Sequence, residues 1–237
     1  MSTSFKDPLG QAIVDFVKSG IDEDIIVSSD ICEDDIIQSS YLLRTYEDMP
    51  EIEQIALSQC KGKTLDIGAG SGIHASYLQD KDIDVSCIDI SPLAIEHLKS
   101  EGLNAQCINF FELDNTKFDT LLMLMNGIGI AETLENLPNT LHKAKSILKE
   151  GGKIICDSSD IKYLYGDDEG GMWVDLNSTY YGNFKFQMSF KNHQTDWFKW
   201  LYVDFNNLQK CATEAGFTVT KLYENDNHYL AELKLKK

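Results

Sequence analysis

An α/β fold, with a mostly parallel seven-stranded sheet and helices on both faces, is predicted by three features of the sequence. Residues 63–79 read as a short apolar strand, a glycine-rich turn and a helix. From residue 60 to residue 157, five strand-like runs alternate with helix-periodic stretches, the pattern of successive βαβ units. Two further strand-like runs, 217–222 and 229–235, close the chain. Around this frame the sequence predicts a helical cap over residues 1–60 and a main domain over 61–237. An antiparallel hairpin is inserted into that domain at about 158–203.

Taken in order, Asp7 and Pro8 open a helix in which Leu9, Ala12, Ile13, Phe16 and Val17 share one face as far as Gly20. The carboxylates of residues 22–35 are interleaved with isoleucines, lack EF-hand spacing and read as a solvated acidic face. Residues 41–46 lead through Met49 and Pro50 to a helix at 51–60. Beyond the glycine turn come a helix at 73–79, a strand at 85–89, and a helix at 92–100 with Ser91 as N-cap and Pro92 in its first position. Strands follow at 105–108 and 119–125, the second nearly all apolar, as a strand covered on both faces should be. A helix at 132–148 and a strand at 153–156, ending at Asp157, complete the parallel half.

The insertion is rich in aromatic residues from Tyr163 through Trp173 to Tyr202. Phe184, Phe186, Met188 and Phe190 alternate with polar residues, and Phe198, Trp200 and Tyr202 recur at every second position after the turn-like 192–196, which makes a hairpin. Its aromatic face reads either as core or as a roof over a ligand. Asp204 then caps a helix that Gly216 stops.

The chain has 237 residues and a formal net charge of −17, with no basic stripe, which argues against nucleic acid or an anionic membrane as partner. Its longest apolar stretch, 120–131, is about half the length a membrane-spanning helix needs. The first residues show no basic segment followed by an apolar run, so no secretory signal is expected. Six cysteines without C-x-x-C spacing point to reduced thiols in a cytoplasmic protein, with no metal or disulfide framework. Oligomeric state is not legible.

The segment at 65–75, LDIGAGSGIHA, carries the functional signal. A dinucleotide turn of G-x-G-x-x-G form needs a glycine at position 73, which is isoleucine; the third glycine, Gly72, comes one residue early. Asp66 puts a carboxylate just before the turn, where a pyrophosphate would be repelled and a cationic group welcomed. With Asp89 ending the next strand, the segment resembles the [D/E]-x-G-x-G-x-G motif of class I S-adenosylmethionine (SAM) dependent methyltransferases, which have a Rossmann-like fold. The phrase LKEGGKIICDSSD resembles the same family around its fifth strand.

The resemblance implies SAM as cofactor and S-adenosylhomocysteine as product, and the acidic composition favours a small-molecule acceptor. It places the turn (Gly68, Ala69, Gly70, Gly72, with His74) under the amino-acid end of SAM, with Asp66 near the ammonium. Asp89 and Ile90 would meet the ribose, Asn109 and Phe110 the adenine, and Met125 and Asn126 the strand edge beside them. Asn109 stands where the family often has a carboxylate. By analogy with caps that cover the site, Tyr41, Arg44, Tyr46 and Asp160 are candidate acceptor contacts. For catalysis the candidates are Asn126, Asp157 and His193, with His74 and Asp160 behind them. No fixed triad is evident, and a sulfonium methyl needs a base only when the acceptor arrives protonated. Two alternatives stay open: an NAD(P)-type oxidoreductase and a non-catalytic SAM-binding protein.

Overall fold

Helix α1 (Pro8–Ser19) starts where the Asp7 side chain accepts from the Gly10 amide, and it stops at Gly20, whose φ of 65° a side-chain-bearing residue would resist. Strands β1 (Asp24–Ser29) and β2 (Asp35–Gln38) follow, then short 3-10 turns at Ser39–Leu43 and Tyr46–Asp48 and helix α2 (Glu51–Gln59). The alternating region comprises β3 (Thr64–Ile67), α3 (Ile73–Asp80), β4 (Val85–Asp89), α4 (Pro92–Ser100), β5 (Ala105–Cys107), β6 (Phe118–Met123), α5 (Leu137–Ile147) and β7 (Leu148–Ser159). Strands β8 (Asn183–Phe190), β9 (His193–Gln194) and β10 (Phe198–Leu201) lie in the insertion. Helix α6 (Phe205–Glu214), β11 (Phe217–Asn225) and β12 (His228–Leu235) end the chain. The computed structural model describes residues 6–165 and 180–236; Trp173 and its neighbours at 166–179 lie outside the described residues.

The large sheet has seven strands in the order β11-β12-β7-β6-β3-β4-β5. Strands β7, β6, β3, β4 and β5 pair in parallel, and β12 is antiparallel to both its neighbours. Successive residues of its central strands enter different cores. Leu121 and Ile154 pack on the side of α5 and α6 with Leu141, Leu208 and Phe217, whereas Leu122 and Ile155 pack on the side of α2, α3 and α4 with Ala56, Leu78 and Leu98. Continuous apolar runs are the sequence signature of that two-sided burial. Each such side chain contributes about 1.5–3 kcal/mol of burial.

Helix α5 begins later than the expected residue 132. Pro138 is tolerated only in a first helical turn, so the chain runs through 3-10 turns at Gly127–Ala131 and Leu134–Asn136 before α5 starts at Leu137. Strand β7 also starts early, at Leu148 rather than 153. It carries a register irregularity opposite Phe118 and Thr120, where Gly151 takes a φ of 72°.

The larger correction concerns the cap, which is not helical throughout. Residues 24–38 form a hairpin whose carboxylates remain a solvated acidic face, and it joins the insertion in a second, antiparallel sheet, β10-β8-β1-β2 with β9 on β8. Val27 pairs with Met188, and Phe186 with Phe198. Ile25 is fully buried against Ala12 and Phe190, which is why an isoleucine run set among acids becomes a strand. The carboxylates Asp24 and Asp35 stay exposed, and Asp35 blunts the free edge on β2. Helix α1 ties this sheet to the large one: Asp7 accepts from the Ser91 hydroxyl at 2.6 Å, at the start of α4.

Candidate active site

The carboxyl ends of β3, β4, β6 and β7 form one edge, where ligands of open α/β sheets bind. The glycine turn leaves β3 there and is fastened to β4: Gly68 and Ala69 donate to the Ile88 carbonyl at 2.9 and 3.1 Å, and Gly70 donates to Asp89 Oδ2 at 2.9 Å. The three glycines divide the work. At Gly68 and Gly70, both with positive φ, a Cβ would meet nothing within 4 Å, so the backbone faces open space. At Gly72 a Cβ would run into Leu98 and Leu103, so this glycine lets α3 pack against α4.

Asp66 sits at the root of the turn, 2% exposed, and its Oδ2 has no hydrogen-bond partner among the described residues. Burial pushes its pKa up to about 6, with His74 working against the shift and Asp89 adding to it. Burial also raises Asp89, against amide hydrogen bonds from Ser91 and Gly70.

Arg44 has a different place from the one expected of an acceptor contact. Its Nη2 donates to both oxygens of Glu53 at 2.5 Å, its Nη1 to the Tyr41 carbonyl at 2.6 Å, and its guanidinium lies 4.0 Å from the Tyr41 ring centre. His74 Nε2 joins Glu53 at 2.8 Å, so His74 and Arg44 meet on one buried carboxylate. Burial acts to raise Glu53, but hydrogen bonds from His74 and Arg44 outweigh it and hold it below the usual range. Arg44 Nε is buried without a hydrogen-bond partner among the described residues. Ser71 donates to the Leu42 carbonyl, which fastens the strap of residues 39–44 to the glycine turn. A lone carboxylate oxygen and a lone guanidinium N–H, both buried, suit the ammonium and carboxylate of an amino-acid group.

Farther along the edge, Ile90 is 56% exposed and Phe111 40% exposed, whereas Phe110 turns into the core. The exposed ring at this position is therefore Phe111, not Phe110 as expected. Asn109 Oδ1 accepts from the Phe111 amide at 2.9 Å and caps the 3-10 turn Phe110–Glu112. Met125 and Asn126 both adopt left-handed backbone, φ 58° and 57°. Asparagine tolerates this, but for methionine it costs about 1–2 kcal/mol. The bend brings the Asn126 amide to Asp157 Oδ1 at 2.9 Å.

The remaining candidates separate. The Asn126 side chain donates to the Leu201 carbonyl and accepts from the Ser158 hydroxyl, which ties the end of β6 to β10 and β7. His193 pairs with Phe190, at the opposite end of β8 from Asn183, and is remote from the edge. Tyr46 stacks on Tyr77 of α3 at 4.0 Å and lines an outer cleft with His97 and Glu101 that includes none of Asp66, Gly68, Gly70 or Asp89. Asp160 accepts from the Tyr181 hydroxyl at 2.8 Å and its amide donates to the Asn227 carbonyl, anchoring the insertion. Asp157, 2% exposed, holds His228 Nε2 at 2.8 Å. Glu53 and His228 were not legible, because their partners lie 9, 21 and 71 residues away along the chain.

Comparison with known proteins decides between the readings. A methyltransferase domain family matches residues 65–154. A SAM-dependent methyltransferase from Bacteroides fragilis, crystallised with S-adenosyl-L-homocysteine, is 41% identical, with a TM-score of 0.91 over 98% of this chain and 96% of its own. The chain is a SAM-dependent methyltransferase. SAM is therefore its cofactor and S-adenosylhomocysteine its product. Two more distant structures share the fold. One, a S-adenosylmethionine-dependent methyltransferase from Clostridium acetobutylicum, is 15% identical, with a TM-score of 0.57 over 81% of this chain and 94% of its own. The CcbJ methyltransferase of Streptomyces caelestis is 13% identical, with a TM-score of 0.60 over 81% and 95%. None of the curated proteins matches this methyltransferase.

Proposed function

We propose that this methyltransferase modifies a small molecule held between the cofactor edge of the large sheet and the aromatic face of the second sheet. The observation that carries this is the second sheet itself. Phe184, Phe186, Phe198, Trp200 and Tyr202 form a ladder with ring centres 5.3–6.4 Å apart. β10 ends against the cofactor edge, where Leu201 accepts from Asn126. Trp200 packs so closely on Gly129 that a Cβ there would overlap it. Tyr41, 40% exposed, and Tyr202 both feel the charge of Asp157, so strap, roof and β7 converge. A net charge of −17 favours a small acceptor over a nucleic acid.

In this reading Asp66 receives the ammonium and Arg44 Nε the carboxylate of SAM's amino-acid group, over Gly68, Ala69, Gly70 and Gly72. Asp89 keeps lone pairs for the ribose hydroxyls beyond those it gives to Gly70 and Ser91. Ile90 and Phe111 flank the adenine, whose amino group has the second lone pair of Asn109 Oδ1 to donate to. SAM supplies a methyl group already activated on a cationic sulfur. The chain's part is to orient the acceptor and keep water out, which alone lowers a barrier by several kcal/mol. A reducing, cytoplasmic setting fits six cysteines that are all free, two of them exposed.

The test is incubation of the purified chain with methyl-labelled SAM and, separately, a small-metabolite extract, total RNA and total protein. Label in the small-molecule fraction is the expected result. Label confined to RNA or protein would overturn the proposal.

A further inference from the structure

One titratable pair at the sheet edge, Asp157 and His228, takes no part in holding the cofactor. Asp157 Oδ1 is held by the Asn126 amide, so the carboxylate cannot swing away, and its Oδ2 meets His228 Nε2 at 2.8 Å. A carboxylate only accepts, so a neutral His228 that donates through Nε2 presents its lone pair at Nδ1. The His228 side chain is 42% exposed while that of Asp157 is 2% exposed. His228 opens β12 opposite Ser159, and the Asp160 amide donates to the neighbouring Asn227 carbonyl, which pins this turn to the end of β7.

The pair lies at the same sheet edge as the glycine turn. Asp66 pairs with Leu122 and Met123 with Cys156, so continuing the register sets Asp157 level with Gly68, two strand spacings or about 10 Å across the sheet. The chain has five histidines. His74 is buried on Glu53, His97 lines the outer cleft, and His142 lies on α5. His193 is at the far end of β8. Only His228 brings an oriented ring to this edge.

We infer that His228 takes the proton of the methyl acceptor, with Asp157 as its positioning residue, and that the acceptor is therefore a protic nucleophile, a hydroxyl or an amine. This rests on the small-molecule reading. The acceptor's oxygen or nitrogen bonds to the methyl carbon, the carbon–sulfur bond breaks with its electron pair kept by the departing neutral thioether, and the acceptor's proton moves to Nδ1. The resulting imidazolium is stabilised by Asp157 through Nε2–H. A thioether or tertiary amine, having no proton to lose, would make the pair idle. The titratable groups around the ring are Asp157 and Asp160 from the end of β7, Asp226 from its own turn and, through Asp157, Tyr41 and Tyr202.

The test uses the full chain, methyl-labelled SAM and a small-metabolite extract. H228Q is expected to lower label transfer by about 100-fold or more, the lower end of what a general base contributes, and to flatten the pH profile. Calorimetry should find S-adenosylhomocysteine affinity unchanged, and added imidazole should restore transfer in part to H228A. Transfer by H228Q close to that of the parent overturns the inference while leaving the small-molecule reading intact. If no variant labels a small molecule although the product binds, the small-molecule reading falls and takes this one with it. Nitrogen NMR gives a readout free of activity: Nδ1 of His228 should be the unprotonated nitrogen in the parent and lose that preference in D157N. An Nδ1–H tautomer in the parent would overturn the pairing.

Discussion

The glycine-turn edge of the large sheet and the second sheet are built on opposite principles. At the glycine-turn edge, one contiguous stretch of chain ends in a turn that leaves space open over Gly68 and Gly70 and leaves Asp66 Oδ2 without a partner among the described residues. In the second sheet, pieces of chain about 160 residues apart pair with one another, and the polar groups at its base find partners within the chain: Asn126 with Leu201 and Ser158, Ser158 with Val203, Tyr180 with Asp204. A buried group left orphaned is costly, so its persistence marks a place reserved for a ligand; a satisfied network marks scaffolding. Two buried carboxylates show the contrast in miniature. Glu53, doubly partnered, is held below its usual pKa, and Asp66, unpartnered, is pushed up to about 6.

The largest expected effect breaks the satisfied member. Glu53→Gln leaves Arg44 buried without its counter-charge and should cost about 3–5 kcal/mol of unfolding free energy, read by urea denaturation. A loss under about 1 kcal/mol would mean that the buried pair is scaffolding in appearance only.

Asp66→Asn should do the reverse to the ligand-free protein. A carboxyl whose folded pKa of about 6 exceeds its ordinary 3.8 carries a penalty that is complete above the folded value and vanishes as pH falls below the unfolded one. The variant should therefore be more stable than the parent by about 3 kcal/mol at pH 7.5, and the gap should close between about pH 6 and pH 4. Denaturation of both proteins across that range checks the sign.

Gly129→Ala forces a methyl group into Trp200 and should cost about 1–3 kcal/mol, with acceptor turnover falling more than product affinity. The smallest effect is expected at Asn109→Ala, which removes a turn cap worth about 0.5–2 kcal/mol and should weaken product binding only slightly.

The same contrast explains what the sequence revealed. Residues 63–157 were legible because each unit is local: apolar runs for a two-sided sheet, Ser91 and Pro92 at a helix start, alternate glycines at a turn. Asp66 stood out because a carboxylate before that turn has one chemical use. Residues 24–38 keep the acidic face their composition announces, but their strands, in a cap that reads as helical, depend on pairing with β8 far along the chain. Which of Phe110 and Phe111 turns inward depends on a 3-10 turn that composition does not announce. Arg44 and Tyr46 were assigned to the acceptor on their position in the cap, but Glu53 and Tyr77 claim them. His228 carried no signal at all until the antiparallel pairing of β12 with β7 set it beside Asp157.

The account turns on Asp66 being an anion kept for a cationic ligand. Calorimetric titration of S-adenosylhomocysteine into the parent and Asp66→Asn at neutral pH tests it most directly. Loss of a buried charge-assisted contact predicts binding weaker by about 30-fold or more in the variant, alongside its higher ligand-free stability. Equal affinity in the two proteins would contradict it.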